Sequence, residues 1–411
     1  MQPSPEVRAD QPVYPPQREM AHPFDPPREL LEWSRSEPVK QVRLWDGSTA
    51  WLVTRFTDIQ RVLTDNDSFS ADPRKPGFTE KSASYSAVMG TDRNLRTMDN
   101  PEHGVQKRML AKDFTVKRIG EMEPTIRSMI EGQIDAMLAK GPPADIFADL
   151  AFLVPTWVIC ELLGVPFADR DYFAERSATC ISQIVTFEEA AKAGKELADY
   201  LDALIEVKQK DPKDDLMSRL VHEQLNHGLI SRVDLIGLAR FLLIAGHETT
   251  ANTMALSTLA LLNNPDQLAD LKANADDQAF MSNAIDELLR YLSVAHTGRR
   301  RVTIRDVEVG GVMIPAEQPV VLANNVGDRD EAIFENPDKL DLRRANAKRT
   351  MVFGYGIHQC LGQLLTRREL VLFHRILWKR MPNLQLAIPF SEVKFNETGP
   401  VFGVESVPVK W

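Results

Sequence analysis

Apolar residues recur at three- and four-residue spacing through most of residues 100–300, which is the pattern of helices that bury one face. Proline and glycine interrupt this pattern at GPP (141–143) and NNP (263–265), so it divides into separate helices. The clearest helical segments are 119–138, 196–210, 214–225, 234–262 and 277–292. The chain is therefore predicted to be mainly α-helical.

Alternating apolar and polar residues, typical of strands, occur in three shorter segments. Residues 42–54 are predicted to form a hairpin that turns at Asp46-Gly47, and residues 302–314 one that turns at Gly310-Gly311. Residues 393–411 are predicted to form a third. Because no repeat, linker or change in composition divides the chain, we expect one domain over 26–411 with small β-sheets, preceded by a proline-rich N-terminal strap at 1–25.

The longest apolar segment, 234–262, contains Arg240, His247 and Glu248 near its middle. Charges there would be costly in lipid, so a central helix of a soluble protein is the better interpretation. The N-terminus has no apolar run that could serve as a signal or membrane anchor. The net charge of −9 argues against a general nucleic-acid-binding protein. The three cysteines do not have the spacing of a disulfide framework, which favours a reducing, cytoplasmic location.

The stretch FGYGIHQCLG places Cys360 among three glycines, just before a segment that reads as a helix. Such a cysteine could be a small buried hydrophobe, half of a disulfide, a nucleophile or a metal ligand. Zinc-ligand spacing is absent, and the sequence alone does not place His358 at the sulfur as a base. Glycines let the backbone approach a flat, bulky ligand closely, and the N-terminus of a helix favours a thiolate over a thiol. These features suit axial ligation of a haem iron.

The same stretch matches the haem-binding loop of the cytochrome P450 family, Phe-x-x-Gly-x-His/Arg-x-Cys-x-Gly. The matching residues, together with the neighbouring Gly354, are Phe353, Gly356, His358, Cys360 and Gly362. The sequence thus resembles a soluble microbial member of that family. The resemblance implies the family's mainly α prism fold, with haem b between the long central helix and the cysteine loop and Cys360 as the iron ligand.

The segment AGHETT (245–250) lies in the middle of the predicted central helix. A helical threonine can bond back to the carbonyl four residues earlier, here Thr249 to Ala245, which loosens the helix and makes a notch. Small Ala245 would let a flat ring lie against this notch. The segment could also be a buried polar pair in an ordinary core helix. It resembles the oxygen-activation motif of the family, which implies that Thr249 and Glu248 relay protons to bound dioxygen.

MDNPEHGVQKRML (98–110) resembles the family segment that contacts one haem propionate. His103 fits this pattern, but the family's arginine four residues later is replaced by Lys107, with Arg108 next, so either could make the contact. By the same resemblance, Arg301 and His358 are expected to supply further propionate contacts. Each of these residues could instead be a solvated surface group.

Glu287 and Arg290 lie three residues apart, so they share a helix face and can pair. With Arg343 in the downstream segment FENPDKLDLRR (334–344), they resemble the family's buried Glu-Arg-Arg network. We assign these three residues to structure rather than catalysis.

Family position also suggests where a substrate would lie. His296 could hydrogen-bond a polar substrate or face the haem edge, and the sequence does not decide between these roles. The predicted pocket comprises residues 80–95 and 180–187, Leu242, Ala245, Val294, His296 and Phe402.

The resemblance implies a monooxygenase that inserts one atom of O2 into a small organic substrate. No Gly-x-Gly-x-x-Gly segment follows a strand, so electrons are expected from a ferredoxin and its reductase, which could meet Arg367 and Arg368. The alternative is the family's nitric oxide reductase branch, which takes hydride from NAD(P)H. The basic run 299–301 leaves that option open, whereas Glu248 weighs against it. A non-catalytic haem carrier or sensor would have no use for the Glu248–Thr249 pair.

Overall fold

The computed structural model describes residues 11–82, 93–181, 185–397 and 399–411, and helix predominates among them. The α-helices are α1 (Arg28–Ser36), α2 (Phe56–Thr64), α3 (Glu102–Leu110), α4 (Val116–Lys140), α5 (Leu153–Leu163), α6 (Arg170–Ile181), α7 (Phe187–Lys210), α8 (Leu216–Leu220), α9 (Arg232–Leu262), α10 (Pro265–Ala273), α11 (Gln278–Leu292), α12 (Asn324–Gly327) and α13 (Gln363–Arg380). The strands are β1 (Val39–Arg43), β2 (Thr49–Val53), β3 (Phe69–Ser70), β4 (Ala144–Asp145), β5 (Arg299–Thr303), β6 (Val307–Val309), β7 (Val312–Ile314), β8 (Pro319–Leu322), β9 (Gln385–Leu386), β10 (Phe395–Asn396), β11 (Gly403–Val404) and β12 (Pro408–Lys410).

The central helix α9 begins at a capping serine, because the side chain of Ser231 accepts a hydrogen bond from the backbone N–H of Asp234. Its second half, from Thr250 to Leu261, is buried on all sides. A helix that is apolar all round belongs in the core of a large protein. The prediction of a central helix at 234–262 is therefore confirmed, with a start two residues earlier.

Helix α9 packs against α5, α7, α11 and α13 in the main apolar core. Buried polar groups also join α9 to α13. Trp378 Nε1 donates to His374 Nδ1 (3.2 Å), and His374 Nε2 lies 2.9 Å from Ser257 Oγ. Since Nδ1 accepts, the neutral ring carries its proton on Nε2 and donates it to Ser257. Burial lowers the pKa of His374 to about 3, so the ring stays neutral at ordinary pH.

The largest sheet has the strand order β1-β2-β8-β5-β3, with β2 and β8 parallel and the other pairs antiparallel. The predicted β1–β2 hairpin is confirmed. The turn at Gly310-Gly311 is also confirmed, but its hairpin is only β6–β7, because residues 302 and 303 belong to β5. The predicted third hairpin is β10–β11, whereas β12 joins a separate sheet with β4 and β9. Residues 214–225 form α8 followed by a π-helix at Val221–Leu225.

Part of the predicted N-terminal strap lies against the largest sheet. The backbone N–H of Tyr14 donates to Arg43 O, and the N–H of Arg43 donates to Pro12 O, each at 2.8 Å. The side chains of Tyr14 and Phe24 are buried. The division of the chain at residue 25 stays a prediction. None of the helices in the described ranges has the length and apolar character required to cross a bilayer.

A buried carboxylate, Glu287, joins α11 to the segment before the cysteine loop. It accepts hydrogen bonds from Arg290 Nε (2.7 Å) and Arg344 Nε (3.0 Å) and from the backbone N–H of Asp341 (3.0 Å). Glu287 and Arg290 are fully buried, and the side chain of Arg344 is 6% exposed. A buried ion pair is stable only when each of its charged groups has hydrogen-bonding or ionic partners.

The assignment of Arg343 to this network is wrong. Arg343 is 60% exposed and pairs with Asp270, with Nη2 and Oδ1 2.7 Å apart. Adjacent side chains leave the backbone in different directions, and only that of Arg344 points at Glu287. The two arginines are adjacent in the segment 334–344, so the sequence did not decide between them.

The two adjacent arginines provide a matched test. We expect Arg344→Ala to lower the free energy of unfolding by about 3–5 kcal/mol, because it leaves a buried carboxylate short of one cation. Arg343→Ala should leave the free energy nearly unchanged, since it removes only an exposed pair. Urea titration of both variants, followed by far-UV circular dichroism, measures the difference. Equal losses in the two variants would contradict the assignment to Arg344.

Candidate functional site

A cavity of about 360 Å³ lies between α9 and the segment 353–362, which we call the cysteine loop. Apolar side chains from α5, including Val158 and Ile159, form one side of it. Strand β5 and the start of α3 contribute basic residues. The predicted site residues that line the cavity are His103, Lys107, Leu242, Ala245, Thr249, Val294, Arg301, Phe353, His358, Cys360 and Gly362.

The cysteine loop needs glycine where its backbone turns. Gly354 and Gly356 have φ values of +71° and +70°, a region that side chains other than glycine rarely adopt. A Cβ atom at Gly356 would lie 2.4 Å from Leu63 O. The backbone N–H of Cys360 donates to Phe353 O (2.8 Å), which closes the loop.

The sulfur of Cys360 faces the cavity close to the start of α13, as predicted. Burial raises the pKa of its thiol, while the backbone N–H of Gly362 and the cations Arg299, Arg367 and Lys107 lower it. These donors and cations are the groups that would stabilise a thiolate.

The other two cysteines lie in the apolar core. Burial raises the pKa of Cys160 and of Cys180 to about 12, and all three cysteines are free thiols. Among the described residues, Cys360 is thus the cysteine that lines this cavity.

The middle of α9 forms another part of the cavity wall. Thr249 Oγ1 donates to Ala245 O (3.1 Å), which is the back-bond predicted from AGHETT. Next to it, a Cβ atom at Gly246 would lie 2.9 Å from Ile159 Cδ1, so a larger residue there would displace the end of that side chain. Ala245 also lines the cavity, and its small side chain leaves space beside the notch.

Glu248 lies beside this wall without lining it. Its Oε2 atom is buried and has no hydrogen-bond partner among the described residues. Burial raises the pKa of the carboxyl to about 8, so it holds a proton at neutral pH. A protonated acid next to Thr249 is able to donate a proton.

Basic residues line the cavity between α3 and the cysteine loop. Lys107 Nζ donates to Ile357 O (2.6 Å), whereas the next residue, Arg108, is exposed and does not line the described cavity. Of these two candidates, Lys107 is therefore the one placed to meet a group in the cavity. Arg301 is buried, and burial together with Arg299 lowers its pKa to about 10, so it remains a cation.

Two neutral histidines complete this basic side. The rings of His103 and His358 have centroids 4.4 Å apart, and His358 Nδ1 donates to Leu95 O (3.0 Å). Burial and nearby cations lower the pKa to about 4 for His103 and to about 2 for His358. The neutral rings lie next to the cations Lys107 and Arg301, which favour an anion in this part of the cavity. The two propionates of haem b match this requirement, so the residues present fit that cofactor.

Two predicted pocket residues lie behind the cavity wall. The prediction for His296 and Phe402 is corrected, since neither lines the cavity in the described part of the chain. His296 Nε2 lies 2.8 Å from Gly399 O, and Phe402 is covered by the Arg18 guanidinium, 4.0 Å from its ring centre. The backbone N–H of Phe402 donates to the carbonyl of Val294, which itself lines the cavity. The predicted pocket positions 83–92 and 182–184 lie outside the described residues.

Several lining residues were not named individually from the sequence. Lys81 lies within the predicted pocket segment 80–95, Arg96 directly follows it, and Arg299 and Arg300 were named only for the alternative function. Glu369 on α13 is 2% exposed, and burial raises its pKa to about 8. Helical periodicity offers a signal for Glu369, because it stands between Leu365 and Leu372 on the buried face. Lys81 and Arg96 carry no comparable pattern.

Comparison with known proteins agrees with this geometry. The family model for cytochrome P450 matches residues 183–410. Cytochrome P450-SU2 of Streptomyces griseolus is 42% identical over 95% of this chain and 94% of its own length. Pentalenic acid synthase of Streptomyces avermitilis is also 42% identical, with 95% of each chain covered.

The crystal structure of GfsF superposes with a TM-score of 0.91 at 40% identity, covering 97% of this chain and 100% of GfsF. The similarity thus extends over nearly the whole length of the chain, in sequence and in overall fold. The chain therefore belongs to the cytochrome P450 family of haem-dependent oxidoreductases.

Proposed function

We propose that the protein inserts one oxygen atom from O2 into a small organic substrate held in this cavity. The observation that carries the proposal is that Cys360 and the Ala245–Thr249 notch line the same cavity. Haem b, the cofactor of the family, supplies the activation of O2 when bound. The chain's own residues hold the cofactor, deliver protons and position the substrate.

Cys360 would hold the haem iron through its sulfur. Phe353, Gly354 and Gly362 would shape the loop that carries this cysteine, and the small side chain of Ala245 would leave space for the bound haem. His103, Lys107, Arg301 and His358 are the proposed propionate partners, which their positions on one side of the cavity support. Arg108 is not included because it is exposed.

Thr249 and Glu248 are the proposed proton relay. The hydroxyl of Thr249 lines the cavity, and Glu248 is protonated at neutral pH because burial raises its pKa to about 8. The hydroxyl can accept a proton from the acid and donate one into the cavity. The apolar side chains Leu242 and Val294 are the proposed substrate contacts.

Electrons are proposed to come from a separate protein that docks over the cysteine loop. Arg367 and Arg368, the contacts predicted from the sequence, are less suitable for docking. Arg367 already pairs with Asp286, and Arg368 pairs with Glu123. Exposed basic residues occur on neighbouring elements, with Arg108 on α3 and Arg349 just before the loop. A basic surface of this kind suits an acidic ferredoxin. The cytoplasmic location stays a prediction.

The haem ligand can be tested by spectroscopy. The reduced protein with carbon monoxide should show the red-shifted Soret band of a thiolate-ligated haem, and Cys360→Ser should lose this band because an alcohol is a weaker donor. Cys180→Ser is the control and should keep it. A red-shifted band in the Cys360→Ser protein would overturn the assignment.

The proton relay predicts a specific loss of coupling. Thr249→Ala should still bind haem and substrate but release hydrogen peroxide in place of product, because protons no longer arrive in order. Glu248→Gln should slow turnover about 10²-fold or more. Thr250→Ala, at a buried neighbour that does not line the described cavity, serves as the control. Product yield per NADH consumed gives the measurement, and full coupling in both relay variants would contradict the role.

Charge reversal tests the docking surface. Arg108→Glu combined with Arg349→Glu should slow reduction by a ferredoxin at low ionic strength, and added salt should reduce the difference from wild type. Lys192→Glu, at an exposed lysine on α7, is the matched control. Stopped-flow reduction under carbon monoxide measures the rate. Rapid reduction by NADH alone would instead support direct hydride transfer.

A further inference from the structure

A second buried acid, Glu369 on α13, has no part in the roles proposed above. It stands four residues after Leu365 and three after Thr366, so these three side chains lie on one face of the helix. All three line the cavity that also contains Cys360. Glu369 thus faces the proposed haem site, although it is only 2% exposed.

The carboxyl group of Glu369 is not neutralised by the charged residues around α13. Its Oε2 atom is buried and has no hydrogen-bond partner among the described residues. Arginines of α13 pair with acids on or near the adjoining helices α4 and α11, in the ion pairs Arg367–Asp286, Arg368–Glu123, Arg375–Asp276 and Arg380–Asp135. None of these four ion pairs includes Glu369.

Two further helices, α9 and α10, pack against α13. On α9, the hydroxyl of Thr253 lines the cavity and donates to Thr249 O (2.7 Å). On α10, Lys272 Nζ donates to Pro382 O (2.8 Å). Burial raises the pKa of Glu369 to about 8. The acid is therefore protonated at neutral pH and adds no charge to the cavity.

Loss of the Glu369 proton would place a negative charge in surroundings of low dielectric constant. An electron accepted by the haem-loaded protein adds negative charge to the same cavity. Like charges in such surroundings repel each other strongly, so reduction of the protein and ionisation of Glu369 oppose each other. The proton then binds more tightly to the reduced protein than to the oxidised protein.

We propose that Glu369 couples the uptake of a proton to the electron that the haem-loaded protein accepts. The inference rests on the proposed function, because it requires a haem held in this cavity by Cys360. When one electron arrives from the separate redox protein, ionised Glu369 takes up one proton from solvent, and the net charge of the cavity does not change. When Glu369 is already protonated, the electron meets no like charge there. Glu369 acts through its charge alone, so it adjusts how readily the protein is reduced.

The reduction potential of the haem-loaded protein tests this coupling. Spectroelectrochemistry without oxygen measures it between about pH 6 and 9.5. The wild-type potential should fall as the pH rises through about 8, because the ionised acid disfavours reduction. At the highest pH, the ratio of reduced to oxidised protein at a given applied potential should be about tenfold higher in Glu369→Gln, which corresponds to 59 mV. A wild-type potential that did not fall would overturn the proposal.

Other groups titrate in the same range, so only the difference between proteins is assigned to Glu369. Burial and nearby arginines lower the pKa of Lys81 to about 7, and burial raises that of Glu248 to about 8. Both groups should lower the potential equally in wild type and in Glu369→Gln. Glu121→Gln, at an exposed acid of α4, is the matched control and should follow wild type. Glu369→Met, with a side chain of similar length, gives the same comparison if the amide prevents folding. The same pH dependence in wild type and in the Glu369 variant would overturn the proposal.

Infrared spectroscopy follows the proton itself. The spectrum of the reduced protein minus that of the oxidised protein, at about pH 9, should show a gain of the protonated-carboxyl band. This gain should be smaller in Glu369→Gln and unchanged in Glu121→Gln, and an equal gain in both variants would contradict the role of Glu369. A carbon monoxide complex without the band of a thiolate-ligated haem would instead contradict the proposed function itself.

Discussion

The position of the cysteine loop depends on a continuous chain of buried hydrogen bonds that starts at Glu287. Its carboxylate holds Arg290, whose Nη1 donates to the carbonyl of Asp328 (2.8 Å). The carboxylate of Asp328 accepts from the backbone N–H of Met351 (2.6 Å), two residues before Phe353. The carbonyl of Phe353 then accepts from the N–H of Cys360. Because the members from Glu287 to Phe353 are buried, water does not replace a missing partner there, and these hydrogen bonds fix the loop relative to α11.

The features that the sequence predicted well are those with local causes. Glycines at 354 and 356 are needed for their own φ values, and the Thr249 back-bond joins residues one helical turn apart. Helix α9 is long and apolar, so its central position follows from its composition. Each of these features depends only on residues close to it along the chain, so a single sequence is sufficient to predict it.

The features that it did not predict depend on where side chains point after packing. Arg343 and Arg344 are equivalent in composition, yet only the second reaches Glu287. His296 was predicted to face the cavity, but the carbonyl of Gly399, distant in sequence, holds it behind the wall. Lys81 lies within the predicted pocket segment 80–95, but the sequence did not distinguish it from its neighbours as a residue that lines the cavity near β5. Each outcome is set by contacts between segments that are far apart along the chain.

The strand order of the largest sheet affects the order in which parts of the chain can fold during synthesis. Strand β2 lies beside β8, with Trp51 opposite Val320, so the first strands to leave the ribosome receive their partners only after most of the chain has been made. Until then one edge of the β1–β2 hairpin exposes unpaired backbone groups and an apolar face. Closing so long a loop is slow, and such an edge is the kind of surface that chaperones protect. The N-terminal hairpin is thus early to form and late to reach its native position.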